Sequence, residues 1–386
     1  MAEASVGNDL VHQIHDSDYQ TVIAITGGGS GAISQLLQVP GASNTVLEAI
    51  VPYSHASLSR WLGITAKQSC SQQTARAMAM SAWMRARDLA PEADPHKLIG
   101  IAATASLASN RPKKGAHRIH VALQTACDTD VCSLLLAKDK RTRAEEEDLA
   151  GQFILLALAK SCSGVDDAGA DSQFDQLVIP GETLKYHQCP AQPPWTNVLL
   201  GDRTFVCYPE VFQPRAIFSG AFNPPHVGHH RIVQLAETKL GCPVAYELSL
   251  TNVDKPPLDF QEIETRLNQL KNQAEGKPIV LTDAPTFRRK AELFPGCTFL
   301  VGADTICRVG DPKYYTGAQG SFDAAIQQIA DAGCRFLVFG REIEGEFQVL
   351  SDIHLPAALM TLCGEVTAEE FREDISSTTL RSEELS

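Results

Sequence analysis

Two short apolar runs in this chain each lead straight into a glycine-containing turn and then into a helix-forming stretch. The first run covers residues 21–25 and is followed by a glycine cluster at 27–31. The second covers residues 216–218 and is followed by a turn rich in glycine, proline and histidine. Strands that alternate with helices in this way form a parallel sheet with helices on both faces. We therefore predict an α/β protein of two three-layer domains, the second Rossmann-like with a parallel sheet.

The length of 386 residues also fits two domains better than one. Further strands are predicted at 98–103 and 118–123 and helices at 71–89 and 144–160. The alternation weakens where several prolines crowd together near residue 190. We therefore expect four segments, which are an N-terminal tail at 1–17, a first domain at 18–162, a linker with a strand or two at 163–212, and a second domain at 213–386.

The overall charge and hydropathy restrict the partners that this chain can have. A formal net charge of -13 argues against non-specific binding of nucleic acid or of an anionic membrane. No apolar run is long enough for a membrane span, and the polar N-terminus lacks the features of a signal peptide. The 11 cysteines contain no CxxC pair, which predicts reduced thiols and no structural zinc. We expect a cytoplasmic protein without a metal site, and a homo-oligomer stays open.

The turn at 220–230 has the residue types of an anion-binding site. The first N–H groups of the following helix have no partner inside the helix and point toward any ligand at the end of the strand. Gly220 permits a close approach of the backbone to a nucleotide, and Pro224 and Pro225 stiffen the turn. His226 and His229 are three residues apart and can face the same side, where their rings can donate hydrogen bonds to phosphate. The pattern favours a phosphorylated ligand.

Two other interpretations of this turn stay open. The histidines could simply cap the helix within a proline-rich turn. Alternatively, His226, His229 and His230 could bind zinc, although no cysteine or carboxylate stands nearby in the sequence to complete the set of ligands.

The turn resembles the HxGH nucleotidyltransferase superfamily, and it is most similar to the nicotinamide/nicotinate mononucleotide adenylyltransferases with their pattern GxFxPxHxGH. The family's second signature, ISSTxxR, is similar to residues 375–381. Serine and threonine there can cap a short helix, and Arg381 can present a forked donor to a triphosphate. A serine-rich tail without a role is the alternative for this segment.

The resemblance implies three groups of site residues. The catalytic group is His226, His229 and Arg381. The nucleotide-binding group is Gly220, Phe222, Gly228, Gly302, Asp304, Ser376, Ser377 and Thr378. The substrate-binding group is Lys255, Arg266 and Thr286. The family often has a tryptophan after its GxD turn, where this chain has Tyr314 and Tyr315. This departure leaves the acceptor open.

The reaction that this resemblance implies is a direct displacement. The phosphate of nicotinate or nicotinamide mononucleotide would attack ATP, giving a dinucleotide of NAD biosynthesis and pyrophosphate, with Mg²⁺ accompanying the triphosphate. The partners would then be small-molecule nucleotides. Two alternatives remain, which are cytidylyl or adenylyl transfer to another phosphorylated acceptor and a catalytically silent, nucleotide-binding regulatory protein.

The first domain resembles the C-terminal domain of CinA, the nicotinamide-nucleotide amidase family. The similar segments are 39–43, 51–54, 62–63, 75–79 and 114–115. The family's ESCTGG loop aligns with residues 25–30, so Thr26 replaces the nucleophilic serine and Ser30 is out of register. Residues 103–108 replace the family's TGIAGP loop. We expect a domain that keeps the fold with lost or altered amidase activity, and whose glycines could bind a nucleotide phosphate. Alternatively, the glycines could form a dinucleotide-binding fingerprint or the TGxxxGxG turn of short-chain dehydrogenases, although neither a YxxxK motif nor a suitably spaced acidic residue at a strand end follows.

Overall fold

The computed structural model describes residues 2–110, 113–163, 167–253, 255–274, 276–315, 321–343 and 345–373. The chain divides into two compact units. Unit 1 comprises Met1–Thr196 and Asp254–Gln261, and unit 2 comprises Asn197–Val253 and Glu262–Ser386. Among the described residues, no helix is both long and apolar enough to cross a bilayer.

Unit 1 is built around one six-stranded sheet. Its strands are β1 (Gln20–Thr26), β2 (Val46–Ile50), β3 (Leu98–Ser106), β4 (His117–Gln124), β5 (Asp128–Leu136) and β6 (Thr183–Pro190). Its helices are α1 (Ala2–His15), α2 (Gly31–Gln38), α3 (Ala42–Thr45), α4 (His55–Leu62), α5 (Gln72–Leu89), α6 (Arg143–Ser163) and α7 (Asp167–Leu177). The strand order is β2-β1-β3-β4-β5-β6. The pairs that involve β1 are parallel and the other three are antiparallel, so this sheet is mixed.

The two faces of this sheet are covered by different helices, which gives three layers. Ile23 and Ile101 pack with Phe153 of α6 on one face. Ala24 and Ala102 pack with α5 on the other face. The predicted N-terminal tail is instead mostly helix α1. Its Val11 and Ile14 are buried against the α6 face, because an amphipathic helix can cover apolar surface that the sheet and α6 leave open.

Unit 2 contains a seven-stranded sheet and a short two-stranded one. Its strands are β7 (Phe205–Tyr208), β8 (Ala216–Ser219), β9 (Val244–Ser249), β10 (Ile279–Thr282), β11 (Thr298–Gly302), β12 (Arg335–Phe339), β13 (Arg341–Ile343), β14 (Glu346–Gln348) and β15 (Cys363–Val366). Its helices are α9 (Val227–Leu240), α10 (Phe260–Gln273), α11 (Phe287–Leu293), α12 (Ala303–Val309), α13 (Phe322–Asp331) and α14 (Ala357–Met360). Helix α8 (Pro193–Leu200) contains one boundary between the units, and the first two residues of α10 are assigned to unit 1.

The large sheet of unit 2 has the strand order of a doubly wound fold. The order is β15-β12-β11-β8-β9-β10-β7, and β7 alone among these strands is antiparallel to its neighbour. Numbered along the chain from β8, the six parallel strands follow the order 3-2-1-4-5-6. The Rossmann-like prediction for this half of the chain is confirmed. The order reverses between β8 and β11, and in such sheets ligands bind in the crevice at this reversal.

The segment predicted as a linker, 163–212, contains regular structure. It includes α7, β6, α8 and β7, of which β6 joins the first sheet and β7 the second. Strand β6 is mostly exposed because it lies at the edge of its sheet. An edge strand does not need a continuous apolar run, so its polar sequence hides it from a pattern based on burial.

Candidate active site

The turn between β8 and α9 lies at the reversal of strand order in unit 2. Strand β8 ends at Ser219, and α9 begins at Val227. The neighbouring strand β11 ends at Gly302 and leads directly into α12. Because parallel strands end at the same edge of a sheet, the turn and the segment at Gly302 border the same crevice.

Phe222 forms the floor of this turn. Its backbone has a φ of 43°, and its ring is buried with 1% exposed. The ring packs edge-on against His229, with centroids 5.0 Å apart, and against Tyr246 at 5.1 Å. A Cβ atom on Gly220 would lie 2.7 Å from this ring. The buried Phe222 side chain therefore supports the His229 ring, and Gly220 is needed to make room for it.

His226 and His229 lie against each other at the start of α9. Their ring centroids are 3.7 Å apart. The backbone N–H of His226 donates to Nδ1 of His229 at 3.1 Å, so a neutral His229 carries its proton on Nε2. The Nδ1 atom of His226 is buried and has no hydrogen-bond partner among the described residues. A Cβ atom on Gly228 would lie 3.2 Å from the His226 ring, so glycine leaves space for this ring.

Both imidazoles are neutral at physiological pH. Burial, together with the nearby Arg341 and His230, lowers the pKa of His226 to about 4. Burial, followed by His226, Arg341 and His230, lowers the pKa of His229 to about 2. The two rings therefore act as neutral hydrogen-bond donors in the protein without ligand, and the positive charge beside them comes from arginine.

We expect neither ring to titrate between about pH 8 and about pH 5. The unfolded chain binds protons on these rings below about pH 6.5. Because the folded-state pKa values are lower, the stability from the neutral rings is complete above this pH. It is lost as the pH falls toward about 4 for His226 and toward about 2 for His229. NMR titration of histidine-labelled protein measures the pKa values of the two rings, and the variants His226→Ala and His229→Asn assign their resonances. A midpoint above about pH 6 for either ring would contradict it.

Arg341 is a site residue that the sequence analysis did not identify. It is half-buried, and burial lowers the pKa of its guanidinium while Asp304 raises it. A Cβ atom on Gly302 would lie 2.5 Å from Oδ1 of Asp304 and 3.2 Å from Nε of Arg341. No described residue hydrogen-bonds to the guanidinium. The available signal was its position just past the apolar run of β12, where parallel strands present ligand-binding groups.

The three residues predicted to bind substrate have different surroundings. Arg266 donates to Glu262 at 2.7 Å and 2.9 Å and to the carbonyl of Ala221 at 3.2 Å. Arg266 therefore anchors the turn. The Thr286 hydroxyl caps α11 by accepting from the N–H of Arg289 at 3.3 Å. Lys255 belongs to unit 1. Their contacts with a substrate remain predictions.

The second signature lies outside the described residues, and with it Ser376, Ser377, Thr378 and Arg381. The segment before it is held on α9 and β12. Phe371 is buried against Phe339, with centroids 5.4 Å apart. Glu370 pairs with Lys239 at 2.5 Å, and Glu373 pairs with Arg231. The Cβ of Glu373 lies 3.7 Å from the position of a Cβ on Gly228. The chain thus reaches the start of α9 just before the signature.

The three histidines of the turn are not arranged as a metal centre. Nδ1 of His229 accepts a backbone hydrogen bond, and Nδ1 of His230 lies 3.2 Å from the Tyr246 hydroxyl. In the described part of the chain, no three or more His, Cys, Asp or Glu side chains are grouped to hold a metal ion. The guanidinium of Arg341 would also repel a cation here. The zinc interpretation therefore lacks structural support.

In unit 1, the two hydroxyls of the glycine loop are bound to other groups. Thr26 donates to the carbonyl of Pro52 at 3.1 Å and is 4% exposed. Ser30 donates through its hydroxyl and its N–H to Glu147 at 2.9 Å and 2.8 Å, and the N–H of Gly29 donates to the same oxygen at 2.9 Å. A carboxylate of the protein thus accepts hydrogen bonds from two N–H groups of the loop whose glycines could bind a nucleotide phosphate.

Comparison with known proteins gives a family for unit 2 and distant structural neighbours. Residues 217–383 match the model of the cytidylyltransferase-like family. Among solved structures, a competence-damaged protein (CinA) superfamily member from Escherichia coli is 19% identical, covering 42% of this chain and 92% of that one with a TM-score of 0.33. The protein CihA from Agrobacterium tumefaciens is 18% identical, with 40% and 94% coverage and a TM-score of 0.31. No curated protein sequence matches significantly. The C-terminal half of the chain therefore contains a cytidylyltransferase-like domain.

Proposed function

We propose that unit 2 transfers an adenylyl group from ATP to a pyridine mononucleotide, giving a dinucleotide and pyrophosphate. The observation that carries the proposal is the cluster of His226, His229 and Arg341 around the start of α9, at the reversal of strand order. Two neutral donors, one guanidinium and the free N–H groups of a helix form an environment suited to several phosphate groups.

The cluster can assist the reaction without a covalent intermediate. The acceptor phosphate oxygen attacks the α-phosphorus of ATP while the bond to pyrophosphate breaks, and negative charge grows on the leaving oxygens. Nε2–H of His229 and the ring of His226 donate to phosphate oxygens. Arg341 adds a positive charge, and its attraction for phosphate is stronger because the guanidinium is partly buried. Mg²⁺ enters as part of the ATP substrate.

Chain connectivity supports a role for the second signature in the same site. Glu373 stands beside Gly228, and Ser376 follows three residues later. Three residues span at most about 11 Å, so the signature begins within this short length of chain after Glu373. Arg381 would then supply a second guanidinium for the triphosphate.

The Arg231–Glu373 pair should matter for nucleotide binding, because it fixes the chain just before the signature. We expect Arg231→Glu and Glu373→Arg each to raise the KM for ATP by roughly 5–10-fold, as a loss of about 1–1.4 kcal/mol would. The double charge swap should restore much of the affinity. Arg289→Glu, in an exposed pair on α11, is the matched control. Equal KM values in all variants would contradict this role.

A screen of substrates tests the proposed function. Purified protein is incubated with Mg²⁺ and each of ATP, CTP, GTP and UTP, against nicotinamide mononucleotide, nicotinate mononucleotide, glycerol 3-phosphate and ribose 5-phosphate, and pyrophosphate is measured. We expect release with ATP and a pyridine mononucleotide, and mass spectrometry should detect the dinucleotide. If neither pyridine mononucleotide stimulates release with ATP, the proposal is wrong.

A second candidate is cytidylyl transfer to another phosphorylated acceptor. It is favoured by the description of the matching family as cytidylyltransferase-like and by the tyrosines at 314 and 315 in place of the family tryptophan. Release that requires CTP and a non-pyridine acceptor would select this candidate. Binding of nucleotide without release from any pair would instead indicate a regulatory protein.

A further inference from the structure

A buried ion pair lies directly behind the turn that carries His226 and His229. Nζ of Lys290, on α11, is 2.5 Å from Oε2 of Glu247, on β9, and the two side chains are 7% and 1% exposed. The other carboxylate oxygen of Glu247 accepts from the hydroxyl of Thr282 at 2.5 Å. Three elements of unit 2 therefore meet at one carboxylate.

This pair contacts both residues at the start of the turn. Nζ of Lys290 donates to the hydroxyl of Ser219, the last residue of β8, at 3.3 Å. The N–H of Gly220 donates to the backbone carbonyl of Glu247 at 3.2 Å. Ser219 and Glu247 are also register partners between β8 and β9. The residue that binds Lys290 therefore also holds the first backbone N–H of the turn.

A buried ion pair is a costly way to join a helix to a sheet. Removing two charges from water costs free energy that their attraction often only balances, so an apolar contact would hold α11 equally well. Unlike an apolar side chain, the ammonium of Lys290 also donates a hydrogen bond to Ser219. Catalysis depends on placement, because an error of about 1 Å can reduce the rate by about 100-fold.

The geometry points to Lys290 and Glu247 as positioning residues for the catalytic turn. They hold Ser219 and Gly220 in place. Through the short turn that follows, they position the Phe222 ring and the His229 ring that packs on it. This inference rests on the proposed function of unit 2. Neither side chain is assigned a contact with substrate.

A neutral double variant separates positioning from stability. Lys290→Met alone leaves Glu247 as an unpaired buried carboxylate, and we expect it to lower the melting temperature by roughly 5 °C or more. Lys290→Met with Glu247→Gln removes both charges and keeps an acceptor for Thr282, so its melting temperature should return close to that of wild type. The matched control is Lys277→Met with Glu237→Gln, which removes a half-exposed pair that joins the end of α9 to the chain before β10.

Activity then decides the inference. We expect the Lys290/Glu247 double variant to have a kcat lower by about 10–100-fold with a KM changed by less than about 3-fold, whereas the control keeps its kcat. A double variant with normal melting temperature and normal kcat would overturn the inference while leaving the proposed function intact. Wild-type protein that releases no pyrophosphate with any substrate pair would overturn the proposed function, and the positioning role with it.

Discussion

Replacing His226 with alanine is expected to lower kcat by about 100–1,000-fold, the usual effect of removing one donor to a developing negative charge. The effect should appear in kcat more than in KM, because the charge on the leaving oxygens grows only as the bond breaks. Steady-state pyrophosphate release with the substrate pair found in the screen measures it.

The same substitution should leave the fold intact. Nδ1 of His226 has no partner among the described residues, so its removal leaves no buried group unpaired there. The melting temperature should change little, and the exposed His354→Ala in the same unit serves as the control. An unchanged kcat in a folded His226→Ala protein would remove the role that we assign to this ring.

Replacing Arg341 with methionine is the second change with a large expected effect. Methionine keeps much of the side-chain volume but removes the charge and the forked donor, so we expect kcat/KM to fall by about 100–1,000-fold. Arg341→Lys should recover only part of this loss, because an ammonium cannot make a bidentate contact.

The Arg341 variant also has a spectroscopic consequence that does not depend on substrate. Arg341 contributes to the lowered pKa of both His226 and His229. Its removal should therefore raise both pKa values, with burial still keeping them below the ordinary value. NMR titration checks this, and Arg335→Met, at the opposite end of β12, is the matched control. Unchanged histidine pKa values would mean that the guanidinium does not face the imidazole pair.

Local sequence pattern was sufficient to predict most of the architecture. The apolar runs at 21–25, 98–103 and 118–123 are all strands, and the stretch at 71–89 is helix α5 with an additional capping serine. These elements are largely buried, so their apolar positions predict their structure directly. The helix α1 and the exposed edge strand β6 have less apolar sequences, so the sequence predicted only a tail at 1–17 and a linker with a strand or two at 163–212.

Spacing along the chain predicted the part of the candidate site whose residues are near neighbours. His226, His229 and the start of α9 belong to one turn, so spacing alone brings them together. Arg341 lies more than a hundred residues further along and reaches them because β12 and β8 end at the same edge of the sheet. A single sequence does not show which of many arginines the strand order will bring to that edge.

The amino-acid sequence by itself predicted the alternating strands and helices of unit 2 and its glycine-, proline- and histidine-rich turn, because both are visible in the order and spacing of neighbouring residues. The tertiary structure decided which side chains complete the turn and which support it. The tertiary structure brings Arg341 near the two histidines and packs the Phe222 ring against His229. In unit 1 it places the Glu147 carboxylate on the N–H groups of the glycine loop. These are contacts between distant residues, and the strand order and packing of the whole unit create them.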